Sequence, residues 1–167
     1  MSNMETFWCR AKTSGKDKDP DKWAAGYYYH TLYDDFILKS TPVLSDEVHH
    51  YSFDIDPDTL GRWSGFHDKN MKGVYEGDII QFEVPYWSEI IARAEVCYGK
   101  YGQDGSFGEY STRECLGWYY QVLDYDLPSW QDPDLWSGLQ DYEKVNSLLQ
   151  VVDDCEVIGN VFDNVDL

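Results

Sequence analysis

The chain is expected to be mainly all-β, built on a small β-barrel with an N-terminal β-hairpin region and a minor C-terminal helix. Three observations predict this. Ile55–Ile80 is dense in turn residues and ends in Gly77-Asp78, which feeds an alternating apolar run. A second alternating run follows at Ala92–Tyr98. The chain holds 14 Tyr and 7 Trp, and flat side chains of this kind pack well on a pleated surface.

The elements follow in order. Phe7–Lys12 reads as a short strand and Thr13–Asp21 as a polar loop. Trp23–Tyr33 is apolar and aromatic around Gly26, a strand able to form a hairpin with the first. Phe36–Leu38 and Val48–Phe53 are further strands. Asp56-Pro57, Gly61 and Gly65 are bend signals, and His67–Gly73 is a charged turn. Ile80, Phe82 and Val84 fall on one face of the next strand, with Gln81 and Glu83 on the other. Ala92, Ala94, Val96 and Tyr98 do the same against Arg93, Glu95 and Cys97. Gly99–Gly108 reads as an exposed loop and Leu116–Leu123 as a buried strand. Asp124–Gly138 is a long acidic insert with two tryptophans. Leu139, Tyr142, Val145, Leu148 and Leu149 recur at helical steps, which places the helix at Leu139–Val151. Val157–Phe162 closes as a strand. The whole is read as a single unit of residues 1–167. Residues 1–54 form the N-terminal β region, and 55–167 form the barrel carrying the insert at about 124–138.

The formal charge is −18, from 31 acids against 13 bases. A surface this acidic repels phosphate backbones, so neither direct nucleic-acid binding by a broad surface nor an anionic membrane is expected. Solubility is the plain use of such charge. Attraction to a basic partner protein, including mimicry of DNA before a nucleic-acid-binding protein, is the sharper one. Cys9, Cys97, Cys115 and Cys155 have no metal-ligand spacing, so no cofactor or zinc site is expected. Free thiols, the lack of a basic-then-apolar start at Met1–Trp8 and the lack of a long apolar run fit a reducing cytoplasm.

Three blocks carry a resemblance. The middle one runs I-D-P-D-T-L-G-R-W-S-G-F-H-D-K-N-M-K-G-V-Y-E-G-D-I-I, from Ile55 to Ile80. The N-terminal one is Cys9-Arg10-Ala11-Lys12 with Lys22-Trp23-Ala24-Ala25-Gly26-Tyr27. The C-terminal one is Cys155 to Asn164, C-E-V-I-G-N-V-F-D-N. Together they resemble the YopX family of phage and prophage proteins. The resemblance implies an all-β core with an SH3-like barrel, small accessory helices and self-association. It implies no enzymatic activity, and no catalytic residue carries over. One departure stands out: where the family has Asp-Lys-Asn-Gly, this chain has Asp68-Lys69-Asn70-Met71. Met resists the positive φ that Gly accepts, so either the turn type differs or Asn70 takes the left-handed position.

Candidate constellations are weighed against plain structural roles. Asp17, Asp19 and Asp21 alternate like the start of a calcium loop, but Lys22 and Tyr28 stand where Gly and Glu are required. His49 and His50 are adjacent in a strand and so point to opposite faces. Glu76 and Asp78 flank Gly77; an acid/base pair is conceivable, and a turn role is preferred. No nucleophile elbow, dinucleotide fingerprint or phosphate loop occurs. Cys115 near Arg113 reads as a buried, inert thiol. In the insert, Trp130 and Trp136 stand among Asp132 and Asp134; the plain role is loop cover for the barrel, and acidic loops with aromatic anchors also suit partner contacts. These four are the expected partner-binding residues. The resulting expectation is a non-catalytic interaction protein that forms homo-oligomers. The alternative is a protein acting against host defence by binding a nucleotide or small molecule, with Arg62, Arg93 and Arg113 available for an anion.

Overall fold

The computed structural model describes residues 8–14, 23–30, 35–41, 49–85, 87–103, 113–126 and 145–163. Within them the chain is built of antiparallel strands, as expected, and divides into two compact units, Met1–Trp63 and Ser64–Leu167.

In the first unit, β1 (Trp8–Lys12), β2 (Trp23–His30), β3 (Asp35–Thr41) and β4 (His49–Asp54) pair in sequence as a meander. The N-terminal hairpin is therefore present: Cys9 faces Gly26 and Ala11 faces Ala24. The start of β5 (Gly61–His67) runs along the other side of β1. Cys9, Ala11, Ala24, Ile37 and Ile55 form the core of this unit. The Asp-Pro bend is a short 3-10 turn at Pro57–Thr59. The Asp58 N–H donates to the Asp56 carboxylate at 3.1 Å, and Pro57 needs no partner for a missing N–H. The Thr59 hydroxyl joins the bend to β1, accepting from the Lys12 N–H at 2.9 Å.

In the second unit, β7 (Asp78–Val84), β8 (Trp87–Gln103), β9 (Arg113–Asp126), β10 (Val145–Ser147) and β11 (Glu156–Asn160) form a sheet in the order β10-β9-β8-β7-β11. β6 (Gly73–Tyr75) lies beside β5. The alternation read in β7 and β8 is realised. Ile80, Phe82, Val84, Ala92, Ala94 and Val96 are buried in one cluster with Val74, Tyr120, Leu148 and Val157. No described pairing closes the five-stranded sheet into a barrel; β10 and β11 are its edges.

Two expectations are corrected. Residues 139–144 lie outside the described residues, but Val145–Ser147 is a strand against β9, and Leu148–Gln150 is a single 3-10 turn. The helical spacing was shared by a strand-then-turn that buries Leu148, Val151 and Val152 while leaving Leu149 66% exposed. The expected loop at Gly99–Gly108 begins too early, since β8 continues to Gln103.

The turn at Asp68–Lys72 resolves the departure noted above. Met71, not Asn70, takes the left-handed conformation, at φ 64°. Its side chain is 76% exposed and has little packing to lose. Met71→Gly is expected to stabilise the protein by about 1 kcal/mol, the usual cost of a Cβ in this region. A rise in the urea midpoint checks it; an unchanged or lower midpoint would show that the turn carries no strain.

Candidate functional site

Trp130, Asp132, Asp134 and Trp136 lie outside the described residues, in the connection from β9 to β10. What the structure adds is the β8–β9 ribbon that leads into it. β7 accompanies β8 from Trp87 to Glu95, and β10 accompanies β9 from Tyr119 to Gln121. Beyond those positions the described ladder has two strands, running from Tyr98↔Trp118 out to Gln103↔Arg113.

Direct cross-strand pairs share a face, so the ribbon has two distinct surfaces. One continues the core face outward. It passes from Val96 and Tyr120, both fully buried, to Tyr98 and Trp118, whose rings meet edge-on at 5.0 Å. It then reaches Lys100 and Leu116, and Leu116 is 70% exposed. The opposite surface holds Cys97↔Tyr119, Gly99↔Gly117 and Tyr101↔Cys115. The facing glycines have φ of 155° and 158°, a region that disfavours any side chain. Open space stands where side chains would lie on Gly99 and Gly117, and the Tyr101 and Tyr119 rings on the same surface stack at 5.0 Å and 23°.

The charges along the ribbon are mostly paired. Arg93 donates to Asp124 at 2.6 Å, and Lys100 meets Glu114 at 3.3 Å. Glu95 stands apart: burial, then the neighbouring Glu76 charge, raise its carboxyl above the usual range. Burial also pushes the Cys97 thiol up to about 11, with Glu95 adding to it. A thiol with that value is protonated near neutral pH and is a poor nucleophile. Cys155 is the same: burial raises it to about 11, and its thiol donates to the Val152 carbonyl at 3.4 Å. Cys115, expected to be buried, is half-buried.

The other candidates take structural places. Asp78 is fully buried and accepts the Tyr75 N–H at 2.8 Å, closing the turn at Gly77. Gly77, at φ 79°, donates its N–H to Val96 at 2.8 Å, and its carbonyl accepts from Val161 at 2.9 Å. Asp68 is the second anchor. Its carboxylate accepts the N–H groups of Asn70 at 2.8 Å, Lys72 at 2.9 Å and Val157 at 2.9 Å. Lys69 adds an ion pair to Glu156 at 2.9 Å. The Ile55–Ile80 and Cys155–Asn164 blocks thus meet each other, clamped by Asp68 and by the Lys69–Glu156 pair.

His49 and His50 occupy successive positions on β4, and Asp17, Asp19 and Asp21 lie outside the described residues. Among the described residues, no group of three or more His, Cys, Asp or Glu side chains could hold a metal ion. No helix among them is long and apolar enough to cross a membrane. A cleft of about 730 Å3 lies along β7 and is lined by Lys69, Glu83, Gln150 and Asp154, among others. Among the described lining residues the one lysine, Lys69, is tied to Glu156. Of the three arginines considered for an anion, Arg93 is committed to Asp124. The side chain of Arg113 lies outside the described residues, and Arg62 is half-buried opposite Cys9 in the first unit.

Sequence reasoning missed the ribbon because glycines dominate its outer half. The available signal was Tyr98-x-x-Tyr101 against Cys115-x-x-Trp118-Tyr119, apolar residues too regular for a loop. Comparison with known proteins gives one family: the model described as YopX protein matches residues 27–167. No curated protein and no solved structure matches the chain. The chain belongs to the YopX family.

Proposed function

We propose that this YopX family member is a non-catalytic protein-interaction module whose contact surface is the outer half of the β8–β9 ribbon together with the acidic insert that follows it. The observation that carries this reading is that, among the described residues, the ladder beyond Glu95 and Tyr119 has two strands, with aromatic pairs on both surfaces and Leu116 70% exposed at its side. An isolated two-stranded ribbon is marginal in water, and aromatic rings are the usual anchors of an interface. A partner that covers this surface buries Leu116 and completes the half-burial of Trp118.

The partner's charge follows from the distribution of acids. Met1–Trp63 holds seven of the 13 bases and 11 of the 31 acids, for a net −4, which leaves Ser64–Leu167 at −14. That favours a basic partner, of host or phage, and nucleic-acid-handling proteins are the class with the most basic surfaces. Self-association is the second arrangement, and it draws on the local pairing of ribbon charges, which removes much of the like-charge penalty.

A photo-crosslinking side chain at position 116, expressed in the host cell, tests the reading. The expected result is a discrete adduct that disappears with Trp118→Ala. An adduct of twice the chain's mass identifies a homo-oligomer, and a heterologous adduct identifies the external partner. Binding to a basic partner should weaken strongly between about 0.1 and about 1 M salt, where the Debye length falls from about 10 to about 3 Å. Monomeric sedimentation together with no Trp118-dependent adduct would overturn the reading.

A further inference from the structure

The two units differ in more than net charge. In the first, direct pairing places Trp8 opposite Tyr27, Arg10 opposite Ala25 and Lys12 opposite Trp23, all on one face of the sheet. On the other side of β1, Arg10 faces Gly61, and strand alternation brings Trp63 to that same face. The core of the unit is built from the opposite face, through Cys9, Ala11, Ala24 and Ile37. The face away from that core is therefore aromatic and cationic at once.

Its residues fall in rows across the strands. An outer row carries Trp63, Trp8 and Tyr27. The next carries Gly61, Arg10 and Ala25, two small residues flanking a guanidinium. The third carries Lys12 and Trp23. Gly61, which is buried, and Ala25 flank Arg10 between the two aromatic rows. The Arg10 guanidinium lies 4.9 Å and the Lys12 ammonium 5.8 Å from the centroid of the Trp23 ring. Trp8 and Tyr27 meet edge-on at 5.3 Å, and Tyr27 and Trp63 are 39% and 38% exposed.

Rings that can stack, interleaved with cations on an antiparallel sheet, are the arrangement that holds single-stranded nucleic acid: bases lie on the rings while phosphates run past the cations. We infer that this face of the first unit, carrying Trp8, Arg10, Lys12, Trp23, Tyr27 and Trp63, binds single-stranded nucleic acid. The total of −18 argued against a broad phosphate-binding surface, but that total is concentrated in the other unit. Here the charge is local, so the binding is narrow, spans few nucleotides and depends on stacking more than on charge. Duplex DNA hides its ring faces and is not the ligand. An acidic peptide would meet the cations but leave the exposed rings of Tyr27 and Trp63 without a flat partner.

The test uses the full chain and fluorescein-labelled oligothymidylate and oligouridylate at low salt, read by anisotropy. Saturable binding of single strands is expected, with a log–log salt slope near −1.4 for two phosphate contacts, at about 0.7 each. Tyr27→Ala with Trp63→Ala should weaken it at least tenfold, because each stacked base contributes on the order of 1–3 kcal/mol. Lys12→Gln should flatten the salt slope by about 0.7 while the fold is retained by circular dichroism. Leu116→Asp, on the ribbon of the other unit, should leave binding unchanged. Quenching of the wild-type tryptophan fluorescence by unlabelled oligonucleotide is a second readout that needs no variant. Failure to bind any single strand, equal affinity for duplex, indifference to the aromatic double variant, or better competition by oligoglutamate would each overturn the inference. None of these results bears on crosslinking from position 116.

Discussion

Asp68→Ala should lower stability by about 3–5 kcal/mol, the loss expected when three backbone N–H groups forfeit a charged acceptor. The carboxylate is 4% exposed and holds Asn70, Lys72 and Val157 at 2.8–2.9 Å. Two of these donors close its own turn; the third is far along the chain, in β11. Water cannot easily replace the missing acceptor at such a site. The thermal midpoint should fall by roughly 10 °C for a chain of this size.

The same carboxylate has a pH signature. Burial alone would push its pKa up, but the N–H bonds from Val157, Lys72 and Asn70, with the Lys72 charge, outweigh burial and leave it lowered. A folded-state pKa below the unfolded value gives stability that is present above the unfolded value, about 3.9, and is lost as pH falls through the lower folded value. Wild type should therefore lose the Asp68 contribution below about pH 4, and Asp68→Asn should lack that part of the acid sensitivity. Urea midpoints at neutral and acid pH decide it: if Asp68→Ala unfolds at the wild-type midpoint at neutral pH, the clamp is not what holds β11.

Tyr120→Ala should cost a similar amount, about 3–5 kcal/mol, as large aromatic truncations in a closed core do. The side chain is fully buried, and its ring meets Phe82 at 5.0 Å and 61°. Tyr120 is also where β9 is paired on both sides, to Val96 of β8 and Asn146 of β10. Its loss should thus loosen the base of the ribbon as well as the core. Guanidinium melts give the magnitude, and hydrogen exchange across Glu95–Tyr98 gives the location. A cost under about 1 kcal/mol would mean that neighbouring side chains refill the space, contrary to the density of such a core.

The fold was most legible where one face of a strand is buried and the other wet. Ile80, Phe82 and Val84 alternate with Gln81 and Glu83 because β7 has the core on one side only, and period two is then written directly in the residues. The bends were equally plain, because Asp56-Pro57 and Gly77 answer to backbone geometry alone. Legibility failed where two demands coincide. In the outer ribbon, Gly99 and Gly117 serve a strand pair while looking like loop residues. At Val145–Val152, a strand followed by a turn buries residues three and four apart, as a helix would. The expected contact residues Trp130, Asp132, Asp134 and Trp136 are not among the described residues. The ribbon's outer half and the cationic face of the first unit were invisible for another reason: each depends on the register between strands, which residue patterns do not state, and a total of −18 conceals one unit at −4 and another at −14.

The clamp at Asp68 has a wider consequence for kinship. The blocks by which such a chain is recognised are those that tie β11 to the Asp68 turn and to Gly77. They report that the polypeptide can reach this shape, and nothing about what the finished molecule touches. Relatives sharing that signature are therefore free to differ in ligand, and the informative comparison among them is the length and dress of the hairpin between Trp87 and Asp126.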